Sequence, residues 1–366
     1  MRLLVLGGGQ LALMMCWAAA RLPIEFLVYE PDPRAPAYRC AKKAEDPLHA
    51  VDEADYVTYE FENIDEAVAD YAQQQGKLRP HIDYLRLKKN RIVERETLQS
   101  LGVPVPRWTV ARNPAEALAT AEKFGRAVAK WPAGGYDGKG QYLLPRETPE
   151  GGPLLVEEYV DIKREFSIVA VRGEDGDVYF YPPAENYYVD GILVWNYAPT
   201  EAPPEAYRYV EKILGWRKYV GVLAVEFFED REGRILVNEI APRVHNTGHW
   251  TLETDASQFE NHVRAIIGLP IKRPQAIAPT AMVNILGLAA PPIKELEQLG
   301  KVYWYGKAEA RPRRKMGHVN IATPTAEETK ARARTALKIL YGREFPRLVM
   351  RPRTAPRAAA EPVPPY

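Results

Sequence analysis

The chain opens on an apolar run, Leu3 to Leu6, followed by Gly7-Gly8-Gly9, a longer apolar stretch from Leu11 to Ala20, and another short run from Phe26 to Tyr29. Short apolar runs separated by a glycine turn and a helix-length stretch predict a βαβ unit. Tyr56 to Tyr59 reads as a further strand and Asp65 to Gln75 as a helix, so residues 1–95 are expected to form a parallel sheet with helices on its faces. Lys88 to Leu101 has helical composition and stops at Gly102 and Pro104, which predicts a linking helix. Beyond it, the β-rich runs Ala127 to Lys130 and Leu154 to Glu158 surround a glycine-rich stretch, Gly134 to Gly140, and residues 96–165 read as a small α+β lid. From 166 to 350 the pattern is strand-like, with a hairpin around Glu232-Gly233 and an amphipathic stretch from Ser257 to Ile267. Residues 351–366 are rich in proline and alanine, lack a core pattern, and are expected to be a loose tail.

Composition narrows the classes. A chain of 366 residues exceeds one ordinary core and fits two or three packed units. The formal charge is +1, so no global field recommends nucleic acid or an anionic membrane as partner, and any anion site has to be local. The N-terminus lacks a signal-peptide layout, and no apolar run approaches the roughly 18 residues that span a bilayer, so a soluble cytoplasmic protein is expected. Cys16 and Cys40 form no CxxC pair and read as buried thiols in a reducing compartment.

Several clusters carry chemistry. Gly7-x-Gly9-x-x-Ala12 follows a strand, opens a helix and is followed by Glu30 at the next strand end. That spacing suits a dinucleotide, a substrate phosphate at the helix N-terminus, or a purely structural turn. Gly134-Gly135-Tyr136-Asp137-Gly138-Lys139-Gly140, with Lys130 just upstream, suits a loop whose N–H groups and lysines close over polyphosphate. If Glu232-Gly233 is a two-residue turn, antiparallel pairing sets Phe228 opposite Val237 and Glu226 opposite Glu239. Two carboxylates facing each other in apolar strands call for a cation, and hard oxygen ligands point to magnesium, with manganese as the alternative ion. Directly after comes Ala241-Pro242-Arg243-Val244-His245-Asn246-Thr247-Gly248-His249, a donor cluster read as too polar for core, and far along the chain lies the basic run Arg311 to His318.

Taken in order, Gly7 to Leu11, Thr58-Tyr59-Glu60-Phe61-Glu62-Asn63, Gly134 to Gln141, Asn238 to His249, Ser257 to Glu260, and Trp304 to Lys307 with Arg311 to His318 closely resemble the 5-(carboxyamino)imidazole ribonucleotide synthetases. The resemblance runs from near residue 1 to about 345. It implies an ATP-grasp fold preceded by a Rossmann-like N-terminal domain, commonly a homodimer. The implied reaction converts 5-aminoimidazole ribonucleotide, bicarbonate and ATP into the N-carboxylated ribonucleotide, with bicarbonate activated as carboxyphosphate. The family's nucleotide contacts would fall on Arg91, Lys130, Gly135, Tyr136, Asp137, Gly138, Lys139, Gly140, Gln141, Glu157, Val160, Glu165 and Asn238, and its magnesium ligands on Glu226 and Glu239. Its ribonucleotide and bicarbonate pocket would involve Gln10, Glu62, Tyr136, Asp137, Arg243, His245, Arg311 and Lys315. The chain departs from the family pattern at Ala12-Leu13, where an arginine usually stands, and at Trp131-Pro132-Ala133, where basic residues are usual. The formate-dependent glycinamide ribonucleotide transformylases share the architecture but fit Gln10 and the Tyr59 to Asn63 motif less well, and a nicotinamide-dependent oxidoreductase rests on Gly7, Gly9, Ala12 and Glu30 alone.

Overall fold

The structure is a computed structural model that describes residues 1–134 and 140–342. The loop residues 135–139 and the tail from 343 onward, including the proline-rich end, therefore lie outside the described residues. Among the described residues no helix is long and apolar enough to cross a membrane.

The N-terminal sheet is parallel, in the order Lys42–Lys43, Glu25–Tyr29, Arg2–Leu6, Tyr56–Tyr59. Its central strand is apolar at every core position because it is covered on both faces. Leu3 and Val5 join the first helix, Gln10–Ala19, in one core, while Leu4 and Leu6 join Val51, Val57 and Val68 in another. The first helix is apolar all round, with Leu11 through Cys16 buried, because its outer face is covered in turn by the helix Gln258–Ile266, through Phe259, Val263 and Ile266.

A second, four-stranded antiparallel sheet (Trp108–Ala111, Leu154–Glu158, Ala127–Lys130, Gln141–Leu144) carries the helix Pro114–Phe124, whose start is capped by Asn113. The third sheet has nine strands and holds the hairpin Gly221–Asp230 and Ile235–Ala241 at one edge, next to Ile162–Arg172. The segment expected to be one linking helix is two, Ile82–Lys89 and Arg91–Ser100, broken at Asn90. The Asn90 side chain accepts from Ile92 N and Val93 N, so a residue read as helical interior starts a new helix instead.

The expectation of free thiols is overturned: Cys16 and Cys40 form a disulfide. Cys40 directly follows the short turn Pro36–Arg39, which is held against the glycine turn by Ala37 N donating to Gly8 O at 2.9 Å. That contact brings the segment alongside the helix bearing Cys16, a proximity that spacing of 24 residues does not encode. Closing a loop of this length is worth about 3 to 4 kcal/mol by chain entropy. Reduction, or Cys16→Ser, should therefore lower the denaturation midpoint in urea, with a steeper slope because the released unfolded chain exposes more surface, and an identical midpoint with and without reductant would show that the bridge does not stabilise the fold.

Candidate active site

The site is built around the edge hairpin. Its turn is not the expected two residues: Asp230 N donates to Arg234 O at 3.1 Å, and Asp230 Oδ1 receives Glu232 N and Arg234 N, leaving Arg231, Glu232 and Gly233 as a three-residue loop. Phe228 consequently faces Leu236, not Val237. A bulge then falls between Glu226 and Phe227, with Asn238 as the extra residue, and it restores Glu226 to a position opposite Glu239. The expected pairing of the two carboxylates holds because two departures cancel. The bulge also re-aims Asn238, a common role of bulges beside active sites. Its carbonyl accepts from Arg95 Nη2 at 2.6 Å, while its buried Nδ2 has no hydrogen-bond partner among the described residues.

Glu226, Glu239 and His245 each present one ligand atom within 4.8 Å of the others, and Glu226 is buried. Facing carboxylates in such a place repel unless a cation lies between them, so the donor set fits a divalent ion held by hard oxygens. His245 Nδ1 accepts the N–H of Thr247 at 3.4 Å, lies 3.0 Å from Thr247 Oγ1, and is 3.6 Å from Glu226 Oε1. Accepting from Thr247 N at Nδ1 corresponds to the tautomer with the ring proton on Nε2.

Behind the hairpin lies a narrow cavity lined by Lys130, Arg91, Gln141, Asn238, Glu239 and Lys88. Lys130 is buried at the end of its strand and pairs with Glu157, which also accepts from Arg95 Nε at 2.5 Å. Burial alone would raise the Glu157 carboxyl, but Arg95 and Lys130 outweigh it and bring it down to about 2. Burial pushes the Lys130 amine down from its ordinary value, against the pull of Glu157. Arg91 ties this helix to the strand exit, its backbone N donating to Pro132 O and its Nη1 to Trp131 O, both at 2.8 Å. Val160 sits in a small apolar cluster with Ile162, Phe228 and Leu236, and Glu165 is buried on the neighbouring strand. Gly140 O accepts from Trp131 N at 2.9 Å, whereas Gly135, Tyr136, Asp137, Gly138 and Lys139 lie outside the described residues.

The donor cluster after the hairpin is not a surface loop: Arg243, Asn246, Thr247 and His249 are all buried, and Asn246–Glu253 forms a 3-10 helix. The polar groups are tolerated there because they bond to one another and to strand side chains, as Asn246 does with Asn284 and His249. Arg243 Nη2 reaches both oxygens of Glu62, at 2.7 and 2.8 Å, and Nη1 reaches Val244 O at 3.0 Å. Burial disfavours the charge on Arg243, but Glu62 reverses this and holds it firmly protonated. Its Nε is buried without a hydrogen-bond partner among the described residues.

Gln10 and Arg311 line a second cleft, of about 280 Å³, together with Arg34, Lys307, Glu309 and Arg314. Lys315 lies at the start of the strand Lys315–Ala322, half-buried. The glycine turn at the floor of this cleft is already filled by protein carboxylates. Glu60 accepts from Gly9 N at 2.7 Å and from Leu11 N and Ala12 N at 3.2 Å, and Glu30 accepts from Gly8 N at 3.2 Å. A Cβ on Gly9 would stand 2.4 Å from Glu60 Oε1, so the glycine serves this close approach. A pyrophosphate would have to displace two carboxylates that repel it, which removes the physical basis of the nicotinamide reading.

Lys88, Glu94 and Arg95 were not singled out by pattern, and Glu60 was quoted only within the Thr58 to Asn63 motif, with no role of its own. Periodicity treats ionisable residues as outward-facing, yet Glu94 and Arg95 are 2% and 4% exposed. Their pairing partners come from other elements, so no local signal marks them.

Three domain families match in order: the ribonucleotide synthetase preATP-grasp domain over residues 1–89, the ATP-grasp domain over 96–259, and the phosphoribosylaminoimidazole carboxylase C-terminal domain over 280–332. An N5-carboxyaminoimidazole ribonucleotide synthase of Saccharolobus solfataricus is 41% identical over 354 residues, covering 92% of this chain and 95% of the relative. Among solved structures, the N5-carboxyaminoimidazole synthetase of Staphylococcus aureus complexed with ADP superposes with a TM-score of 0.86 at 30% identity, covering 92% of this chain and 96% of that one. The Aspergillus clavatus enzyme in complex with ADP and 5-aminoimidazole ribonucleotide gives a TM-score of 0.82 at 28% identity, with coverage of 93% and 98%. An ordered set of three matching domains, with identity of this level over nearly the full chain, places the protein: it belongs to the N5-carboxyaminoimidazole ribonucleotide synthase family of ATP-grasp enzymes.

Proposed function

We propose that the chain uses ATP and a divalent cation, magnesium above all, to carboxylate 5-aminoimidazole ribonucleotide with bicarbonate, yielding N5-carboxyaminoimidazole ribonucleotide, ADP and phosphate in purine nucleotide synthesis. The observation that carries this reading is a facing carboxylate pair, Glu226 and Glu239, beside a buried arginine, Arg243, that still has an N–H to offer. A metal–phosphate centre then adjoins a donor for a small oxyanion.

In this reading the cavity with Lys130, Arg91, Gln141 and Asn238 takes ATP, and the family resemblance adds Gly135 to Gly140, Glu157, Val160 and Glu165 to the nucleotide contacts. The domain division at residues 1–95, 96–165 and 166–350 is part of the same proposal. Bound at Glu226 and Glu239, the cation supplies charge neutralisation for the phosphates. Arg243 and Lys315 hold bicarbonate while one of its oxygens attacks the terminal phosphorus and the bond to ADP breaks. The substrate amine next attacks the carboxyphosphate carbon, the bond to phosphate breaks, and the amine loses a proton. The family resemblance adds Asp137 and His245 to the residues of this step, and His245 orients the oxyanion. Gln10 and Arg311 bind the ribonucleotide in the 280 Å³ cleft, where Arg34, Lys307 and Arg314 add cationic partners for its phosphate, and the family resemblance adds Glu62 and Tyr136 to the substrate-binding set. A cytoplasmic homodimer completes the proposal, and light scattering checks its mass.

Measuring ADP release with each substrate omitted in turn tests the function. Release that requires both bicarbonate and 5-aminoimidazole ribonucleotide is expected; release indifferent to both would overturn it.

A further inference from the structure

The metal pair has a protein cation beside it. Lys88, from the helix Ile82–Lys89, places Nζ 3.5 Å from Glu239 Oε2 and 3.2 Å from Glu94 Oε2. Glu94 is itself fixed, its other oxygen accepting from Ile240 N at 3.2 Å in the residue next to Glu239. The ammonium is largely buried and lines the same cavity as Arg91 and Lys130. It thus touches a proposed metal ligand on one side and the proposed phosphate cavity on the other.

We infer that Lys88 is a positioning residue that makes the metal site depend on nucleotide: it holds Glu239 in place without metal, opposes a lone divalent ion, and accepts one that arrives with phosphates. The inference rests on the reading of Glu226 and Glu239 as the metal pair. The physics is charge balance. A bare dication entering between Glu226 and Glu239 meets a fixed ammonium a few ångströms away and has to displace it from Glu239, which costs free energy in a poorly screened interior. When polyphosphate enters the cavity as well, the same ammonium gains anionic oxygens to replace Glu239, so its opposition becomes attraction. Metal and nucleotide then bind with positive coupling, and by linkage each raises the affinity of the other by the same factor. No proton needs to move. The arrangement suits an enzyme whose reactive phosphate must not be assembled without its nucleotide.

The test uses manganese as a spectroscopic stand-in for magnesium, titrated against the full chain with the free-ion signal read by electron paramagnetic resonance, with and without saturating ADP. In the parent protein ADP should tighten manganese binding strongly. In Lys88→Met, manganese alone should bind on the order of tenfold tighter, and the factor by which ADP helps should fall by a similar amount. Lys88→Arg, which keeps the charge, should retain the parental coupling, and it also serves if the methionine variant folds poorly. Glu226→Gln in each background should abolish the tight binding, tying the signal to this site. If the parent and Lys88→Met show the same ADP-linked factor, the role given to Lys88 is wrong while the metal pair stands. If the parent binds no manganese, or binds it undiminished in Glu226→Gln, the metal pair itself fails and the inference with it.

Discussion

Arg243→Ala is expected to depress coupled carboxylation by about 100- to 1,000-fold, the usual loss when one charged donor aimed at transition-state charge is removed. The same change strands Glu62, whose two oxygens both lean on Arg243 Nη2, and removing one partner of a buried pair costs about 3 to 5 kcal/mol. Activity and stability therefore need separate readings. Arg243→Lys keeps a charge for Glu62 but loses the planar fork and its Nε donor, so it should stay near parental stability while still losing most of the rate. ATP binding, followed calorimetrically, should persist in the lysine variant because Arg243 shares none of the lining of the Lys130 cavity. Normal turnover in folded Arg243→Lys would mean that the oxyanion is held elsewhere.

Glu226→Gln and Glu239→Gln should each cost about 1,000-fold or more in rate, since a divalent cation held by this pair would contribute several kcal/mol of charge stabilisation. Their stability effects should differ. Glu226 is buried with Glu239 opposite and His245 Nδ1 at 3.6 Å, so neutralising it relieves repulsion in metal-free protein and should leave the melting temperature unchanged or higher. Glu239 is a partner of Lys88, so neutralising it leaves that ammonium with Glu94 as its remaining ion pair among the described residues and should lower the metal-free melting temperature. Both variants should lose the stabilisation that magnesium with ADP confers on the parent, which follows from binding to the folded state. Thermal scans with and without that pair of ligands check all three outcomes, and a parental magnesium response in either variant would remove that glutamate from the metal site.

What could be read from the chain by itself, and what could not, divides along a physical line. Three strands of the N-terminal sheet, its glycine turn and the first helix were legible because burial demands apolar runs that need no partner to be recognised, whereas the exposed two-residue edge strand Lys42–Lys43 carries no such run. Glu226 opposite Glu239 was legible because strand pairing has a fixed period, although it held only because a longer turn and a bulge at Asn238 offset each other. The ordered motifs carried the family, and through it the candidate residues. Everything that depended on which side chain meets which across long separations had to wait for the tertiary structure. The disulfide between Cys16 and Cys40, the capping of the first helix by Glu60, the buried ion pairs of Glu157 with Lys130 and Arg95, and the contact of Lys88 with Glu239 join segments that local pattern treats independently. Periodicity sorts residues by the cost of leaving water. It carries no term for a charge that is buried because its counter-charge, supplied by another element, is buried with it, and in this protein those paired charges are what shape the site.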